Sequence, residues 1–174
     1  MLFEAYLIPD LVLSHFYHLT PEYMQKLEKK YIISDIDNTL VTYDDPEPTP
    51  AVLTWLKDME NAGIRVAFLS NNKPPRIEKF NEKLGYVAYA DAGKPGTEML
   101  KKVLAELGAD PSETVFLGDQ LLTDAACGKR GGLYTVIVPP IKDRTDTFNR
   151  TKRLIEKPYM RKYKIREEKR GNTL

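Results

Sequence analysis

The stretch Tyr31-Ile32-Ile33-Ser34-Asp35-Ile36-Asp37-Asn38-Thr39-Leu40 decides how the rest of the chain is read. Three β-prone apolar residues come first and stop at a polar run from Ser34 to Asn38, as a strand buried on both faces of a sheet does. Upstream, Thr20-Pro21 has the form of a helix N-cap followed by proline at the first helical position, which predicts a short helix over 21–30. Downstream, Thr49-Pro50 repeats the signal, and Val52, Trp55, Leu56 and Met59 then share one helical face.

The alternation continues toward the C-terminus. Gly63 closes that helix, and Ile64-Arg65-Val66-Ala67-Phe68-Leu69 predicts a second strand. Pro74-Pro75 opens a helix with Ile77, Phe80 and Leu84 inward and Gly85 as its stop. A short third strand is expected over 86–89, then a helix from Gly96-Thr97 carrying Leu100, Val103, Leu104 and Leu107 at i, i+3, i+4 and i+7. A fourth strand over 114–117, a brief helix to about 129 and a fifth strand over 133–138 complete the series before Pro139-Pro140. Strands alternating with helices at this spacing predict an α/β fold, a three-layer, doubly wound, parallel five-stranded sheet. The expected organisation is an apolar N-terminal arm (1–30), this core (31–140) and a basic C-terminal tail (141–174). The tail has a helix anchored by Phe148, Leu154 and Ile155 and then frays.

In open parallel sheets ligands bind beyond the carboxyl ends of the strands. The residues expected there are Asp35, Asp37 and Thr39; Ser70, Asn71 and Asn72; Lys94; and Asp119 and Asp124. Carboxylates, a hydroxyl, amides and one lysine suit phosphoryl transfer, which needs a nucleophile in line with the leaving oxygen and cationic groups around the phosphate. Carboxylates tolerate phosphate only with a hard divalent ion between them, and Mg²⁺ typically takes one or two carboxylates plus substrate oxygen. Asp35 and Asp119 can supply those carboxylates, with the Asp37 carbonyl as a third donor, and Lys94 and Ser70 can hold phosphate oxygens from the other side.

The order of these motifs resembles the haloacid-dehalogenase (HAD) phosphohydrolases. Asp35-Ile36-Asp37-Asn38-Thr39 is similar to their DxDxT motif, Ser70-Asn71 to the second motif, Lys94-Pro95 to the third, and the stretch from Gly118-Asp119 to Asp124 to the fourth. Four such motifs in order are far more specific than any one. The resemblance implies a HAD-like, Rossmannoid fold in which Asp35 is the nucleophile that becomes an aspartyl-phosphate. Asp37 is then the general acid and base and a backbone metal ligand. Ser70 binds phosphoryl oxygens with the Asn71 amide beside it, and Lys94 neutralises charge on nucleophile and phosphate. Asp119 binds the metal, and Asp124 supports it through water or Lys94.

Only 35 positions separate Asp35 from Ser70 and 24 separate Ser70 from Lys94, so neither gap holds a large cap domain. An open site, resembling the capless branch, excludes water with a partner, an oligomer neighbour or the substrate's own bulk. Thr20-Pro21-Glu22-Tyr23, DIDNTLV, LSNN, GDQLLTD and residues 146–157 also resemble the YqeG-type branch, which includes phosphatidylglycerophosphate phosphatases. That implies a lipid-linked phosphate monoester as substrate. The competing readings are a soluble phosphosugar or nucleotide, a nucleic-acid end, or a non-catalytic adaptor at a membrane or ribosome. A phospho-accepting receiver module is disfavoured, because its aspartate pair lies outside a DxDxT arrangement.

Composition bounds the rest. The 174 residues are 42% hydrophobic and 29% charged, an ordinary globular balance, and the single Cys127 excludes an intramolecular disulfide. Neither a signal peptide nor a membrane span is expected, which favours a cytoplasmic protein. The net charge of +1 does not point to nucleic acid, but it conceals an asymmetry: residues 141–174 hold twelve basic and five acidic side chains. The tail is read either as a solvated appendage or as attachment to RNA or to anionic lipid, the last of which would make the protein peripheral on a membrane. The arm is read either as lying in that interface or as packing on its own domain or on a second subunit. Lys73 and Arg76 are expected to face solvent, His15 and His18 to lie outside the chemistry, and Cys127 to be a packing residue.

Overall fold

A computed structural model describes residues 5–142 and 147–170. Its elements in chain order are β1 (Leu11–Val12), α1 (Pro21–Lys26), β2 (Tyr31–Ser34), α2 (Pro50–Asn61), β3 (Arg65–Leu69), α3 (Pro74–Asn81) and β4 (Ala88–Tyr89). There follow α4 (Glu98–Leu107), β5 (Thr114–Gly118), a π-helical turn (Leu121–Ala125), α5 (Ala126–Arg130), β6 (Tyr134–Ile137) and α6 (Thr147–Lys169). The caps behave as their chemistry requires: Thr20 accepts from the Tyr23 N–H and Thr49 from the Val52 N–H, each with proline opening the helix.

The sheet is parallel throughout, in the order β1-β6-β5-β2-β3-β4. Side chains alternate across it. Ile32, Val66, Phe68, Val115 and Leu117 face one layer with Val52, Trp55, Met59, Ile77 and Phe80 from α2 and α3. Ile33, Ala67, Leu69 and Phe116 face the other, with Leu100, Val103 and Leu107 from α4 and Cys127 from α5. Burial on both faces is why these strands read as continuous apolar runs. The segment between Asp35 and β3 holds a single helix with turns, and that between β3 and Lys94 one helix and the short strand β4, with no cap domain in either.

The sheet has six strands rather than the expected five. The extra one, β1, comes from the arm: Leu11 pairs with Val136 and Val12 with Ile137. Two residues are too few to carry a periodic signal, and their partner lies more than a hundred positions away. Asp10 fixes the register, its carboxylate accepting from the Thr135 N–H at 2.7 Å and hydroxyl at 3.1 Å and pairing with Lys129. Leu7, Phe16 and Leu19 of the arm are buried in the protein itself. Of the two readings of the arm, packing on its own domain is the one observed, and those apolar groups have no surface left to offer a membrane.

The tail also differs from expectation. Helix α6 runs through Pro158 to Lys169 instead of fraying. Leu154 and Ile155, expected as anchors, are exposed, and the side chain of Phe148 lies outside the described residues. The anchor is Tyr163, 2% exposed. Its hydroxyl accepts from the Val12 N–H at 3.0 Å, and Arg166 donates to the Pro9 carbonyl at 2.6 Å. In this way α6 covers the otherwise unpaired edge of β1. Among the described residues no helix is long and apolar enough to cross a membrane.

Candidate active site

The carboxyl ends of β2, β3 and β5 bring the predicted groups to one place. Asp35 directly follows β2, and its N–H continues the ladder to the Leu117 carbonyl at 2.8 Å. Lys94 Nζ lies 2.8 Å from Asp35 Oδ1 and 2.7 Å from Asp124 Oδ1, with its side chain only 2% exposed. Asp119 follows β5, and the Thr39 hydroxyl reaches both Asp35 and Asp119 at 3.4 Å. Oxygens of Asp35, Asp119 and Asp124 all lie within 4.8 Å of one another. A polar cavity of about 350 Å³ opens over Asp35, Asp37, Ser70, Asn71, Lys94 and Asp124, with Tyr43, Gln120 and Thr123 at its sides.

Local structure holds each group in place. The π-helical turn presents Asp124, whose Oδ2 accepts from the N–H groups of Asp119 at 3.2 Å and Gln120 at 3.1 Å. Such turns occur preferentially at functional sites. Gly118 leaves room for that carboxylate: a Cβ there would stand 2.3 Å from the Asp124 Cβ. Glu156 of α6 accepts from the N–H groups of Leu121 at 2.8 Å and Leu122 at 3.2 Å, so the C-terminal helix braces the turn that carries Asp124.

Two residues behave differently from the sequence expectation. The side-chain amide of Asn71 is turned onto the backbone of Lys94, accepting from its N–H at 2.8 Å and donating to its carbonyl at 3.1 Å. Its amide therefore holds the lysine turn. Arg76 is not solvent-facing. Its Nε lies 3.0 Å and its Nη2 2.9 Å from Asp37 Oδ1, while Nη1 donates to the Pro46 carbonyl and Nη2 also to the Thr42 carbonyl. Asn72 Nδ2 donates to the other Asp37 oxygen at 3.1 Å. Asp37 is thus clamped from both sides, an arrangement signalled in the sequence only by an arginine one turn into α3. Lys73 does face solvent, paired with Asp91. His15 and His18 are exposed on the arm, and Cys127 packs in the core with its thiol pushed up to about 12 by burial.

Charge in the site is unbalanced. Three buried carboxylates face one ammonium, while Asp37 is matched by Arg76. Burial pushes the Asp35 carboxyl up to about 7, with Lys94 opposing and Asp124 reinforcing the shift. Burial, then Asp124 and Asp35, raises Asp119 as well. For Lys94 burial works against the ammonium, but Asp124 and Asp35 outweigh it and hold the group above the ordinary lysine range. This excess of negative charge, in an all-oxygen donor set, fits a hard divalent cation. Asp35 and Asp119 are the carboxylates most available to hold it. Asp124 accepts from Lys94 and from two backbone N–H groups, whereas among the described residues the second oxygen of Asp35 and the Oδ1 of Asp119 meet only the long 3.4 Å contact of the Thr39 hydroxyl.

Residues 15–132 match the haloacid dehalogenase-like hydrolase family, and the chain belongs to that family. It is a phosphoric monoester hydrolase, a phosphatase of the HAD type. Over 154 residues the chain is 34% identical to the probable phosphatase YqeG of Bacillus subtilis (strain 168), covering 88% of this chain and 90% of that one. The fold is shared with solved structures of low sequence identity. CbbY from Rhodobacter sphaeroides in complex with phosphate has a TM-score of 0.53 at 16% identity, over 69% of this chain and 90% of that one. The cobalt-bound deoxy-D-mannose-octulosonate 8-phosphate phosphatase from Haemophilus influenzae has a TM-score of 0.52 at 19% identity, over 80% and 92%.

Proposed function

We propose that the chain is a Mg²⁺-dependent phosphomonoesterase that works through an aspartyl-phosphate on Asp35, and that its substrate is phosphatidylglycerophosphate or a similar lipid-linked phosphate. The observation that carries the mechanism is Lys94 bridging Asp35 and Asp124 beside Asp119 in one buried pocket. Asp35 attacks phosphorus as the ester P–O bond breaks, and Asp37, which must first take up a proton from solvent in place of one of the bonds it accepts from Arg76 and Asn72, passes that proton to the leaving oxygen. Asp37 then takes a proton from the water that attacks the aspartyl-phosphate, which frees inorganic phosphate and restores Asp35. Lys94 and Ser70 hold phosphoryl oxygens throughout. A bound Mg²⁺ supplies charge neutralisation and Lewis acidity, and the residues that would hold it are Asp35, the Asp37 carbonyl, Asp119 and, behind them, Asp124.

The lipid part of the reading is supported by the absence of a cap over the site and by α6, which is rich in Lys and Arg and exposes Leu154, Ile155 and Ile165. The test compares phosphatidylglycerophosphate in mixed micelles with soluble monoesters at matched phosphate. A higher kcat/KM for the lipid is expected, and preference for the soluble set overturns it. Presented in anionic vesicles, the lipid should be hydrolysed more slowly as salt rises, because screening weakens attraction to α6.

Metal binding has a predicted pH signature. Burial raises the folded-state pKa of Asp35 to about 7 and shifts Asp119 in the same direction, so the stability lent by protonated Asp35 is lost as pH rises from the ordinary carboxylate range to about 7, and that of Asp119 is lost in the same sense. A cation must displace protons below that range and relieves unscreened repulsion above it. Mg²⁺ should therefore raise Tm more at pH 8 than at pH 5.5, and Asp119→Asn should remove most of the shift. An equal shift at both pH values contradicts the assignment.

A further inference from the structure

A second concavity, apart from the phosphate pocket, lies between α6 and the carboxyl end of β6. It measures about 560 Å³, and its apolar walls are Leu121, Ile137, Val138, Pro139, Pro140 and Met160, with Glu156 also on the lining, its carboxylate taken up by the N–H groups of Leu121 and Leu122. That volume falls within the range of small-molecule sites, yet the walls are almost wholly apolar. Two features say what kind of molecule fits. Asp119, one of the clustered carboxylates, is part of the lining, so the groove abuts the reacting centre. Lys157, Arg161 and Lys164 stand along the α6 side at i, i+4 and i+7, and none has an acidic partner among the described residues. An apolar trough edged by free cations and abutting a phosphatase site is complementary to an anionic amphiphile.

We infer that this groove is the binding site for the hydrocarbon of an amphiphilic phosphate monoester, whose phosphate reaches Asp35 while Lys157, Arg161 and Lys164 meet negative charge where the chain leaves the groove. The inference rests on the placement of the reaction at Asp35 and deepens it by assigning the apolar part of the substrate its own site. Burial in the groove makes each methylene count toward transition-state binding, up to about fourfold in kcat/KM per methylene.

The experiment has two readouts on the full chain with Mg²⁺. In the first, kcat/KM is measured for n-alkyl phosphates of increasing length, each below its micellar concentration. The native protein should show a steady rise until the groove is filled, and Met160→Trp, which occupies the groove, should flatten it. A flat native series, or an undiminished rise in Met160→Trp, overturns the inference. In the second, a non-hydrolysable alkyl phosphonate with a photoreactive chain end is crosslinked to the native protein. Label is expected on peptides containing Leu121 and Met160, and label confined to the exposed face of α6 or to a contact between two copies overturns the groove. This readout stands even if Met160→Trp does not fold. It also separates the two claims: absence of turnover for every phosphate defeats the catalytic reading, whereas the crosslink judges the groove alone.

Discussion

Asp35→Asn is expected to lower turnover of a simple aryl phosphate in the presence of Mg²⁺ by more than ~100-fold, because it removes the oxygen that forms the bond to phosphorus. The substitution nearly preserves shape. It also takes one carboxylate out of a cluster in which three lie within 4.8 Å, and Lys94 keeps its 2.7 Å contact with Asp124. Tm should therefore hold, and the loss should appear in kcat rather than in the folded fraction. Turnover close to that of the native protein would show that another group, or water directly, attacks the phosphate.

Asp37→Asn is expected to separate the two halves of the reaction. An aryl leaving group departs with little help from an acid, so Asp35 can still be phosphorylated, but the water that must then attack has lost its base. The variant should release a rapid burst of aryl alcohol approaching one equivalent of enzyme. Slow turnover should follow, reduced about 100-fold or more, the scale of general acid–base catalysis. Arg76→Ala should resemble a weaker version, about tenfold down with the burst retained, since Asp37 keeps Asn72 but loses the guanidinium that fixes it. Arg76→Lys should recover part of the loss. A steady-state rate without a burst in Asp37→Asn would place the slow step before the ester bond breaks and remove Asp37 from the role assigned to it.

The sequence made the site legible because its residues sit where strands end, and strand ends are marked by an abrupt change from apolar to polar. Asp35, Ser70 and Asp119 follow directly from that rule, and the threonine-proline caps of α1 and α2 mark the helices between them. What escaped depends on contacts between distant segments. Leu11–Val12 is strand only because β6 lies beside it, and a two-residue run has no period to read. Helix α6 persists through Pro158 because Tyr163, Arg166 and Glu156 tie it to β1 and to the turn carrying Asp124, whereas proline and dense charge argue locally for an end. Arg76 reads as a surface residue of α3, and only the approach of α3 to Asp37 gives it a buried partner. Asn71 lies beside the site, but the direction of its amide is set by the Lys94 turn, 23 positions on.

The central claim is that phosphate passes through the side chain of Asp35, and direct mapping tests it most closely. Asp37→Asn protein is mixed with an aryl phosphate and Mg²⁺, quenched in acid after the burst, digested and sequenced by mass spectrometry. One phosphorylated site is expected, on Asp35, labile to hydroxylamine as an acyl phosphate is. Phosphate recovered on any other residue, or a burst of aryl alcohol with no phosphate on the protein, would contradict it.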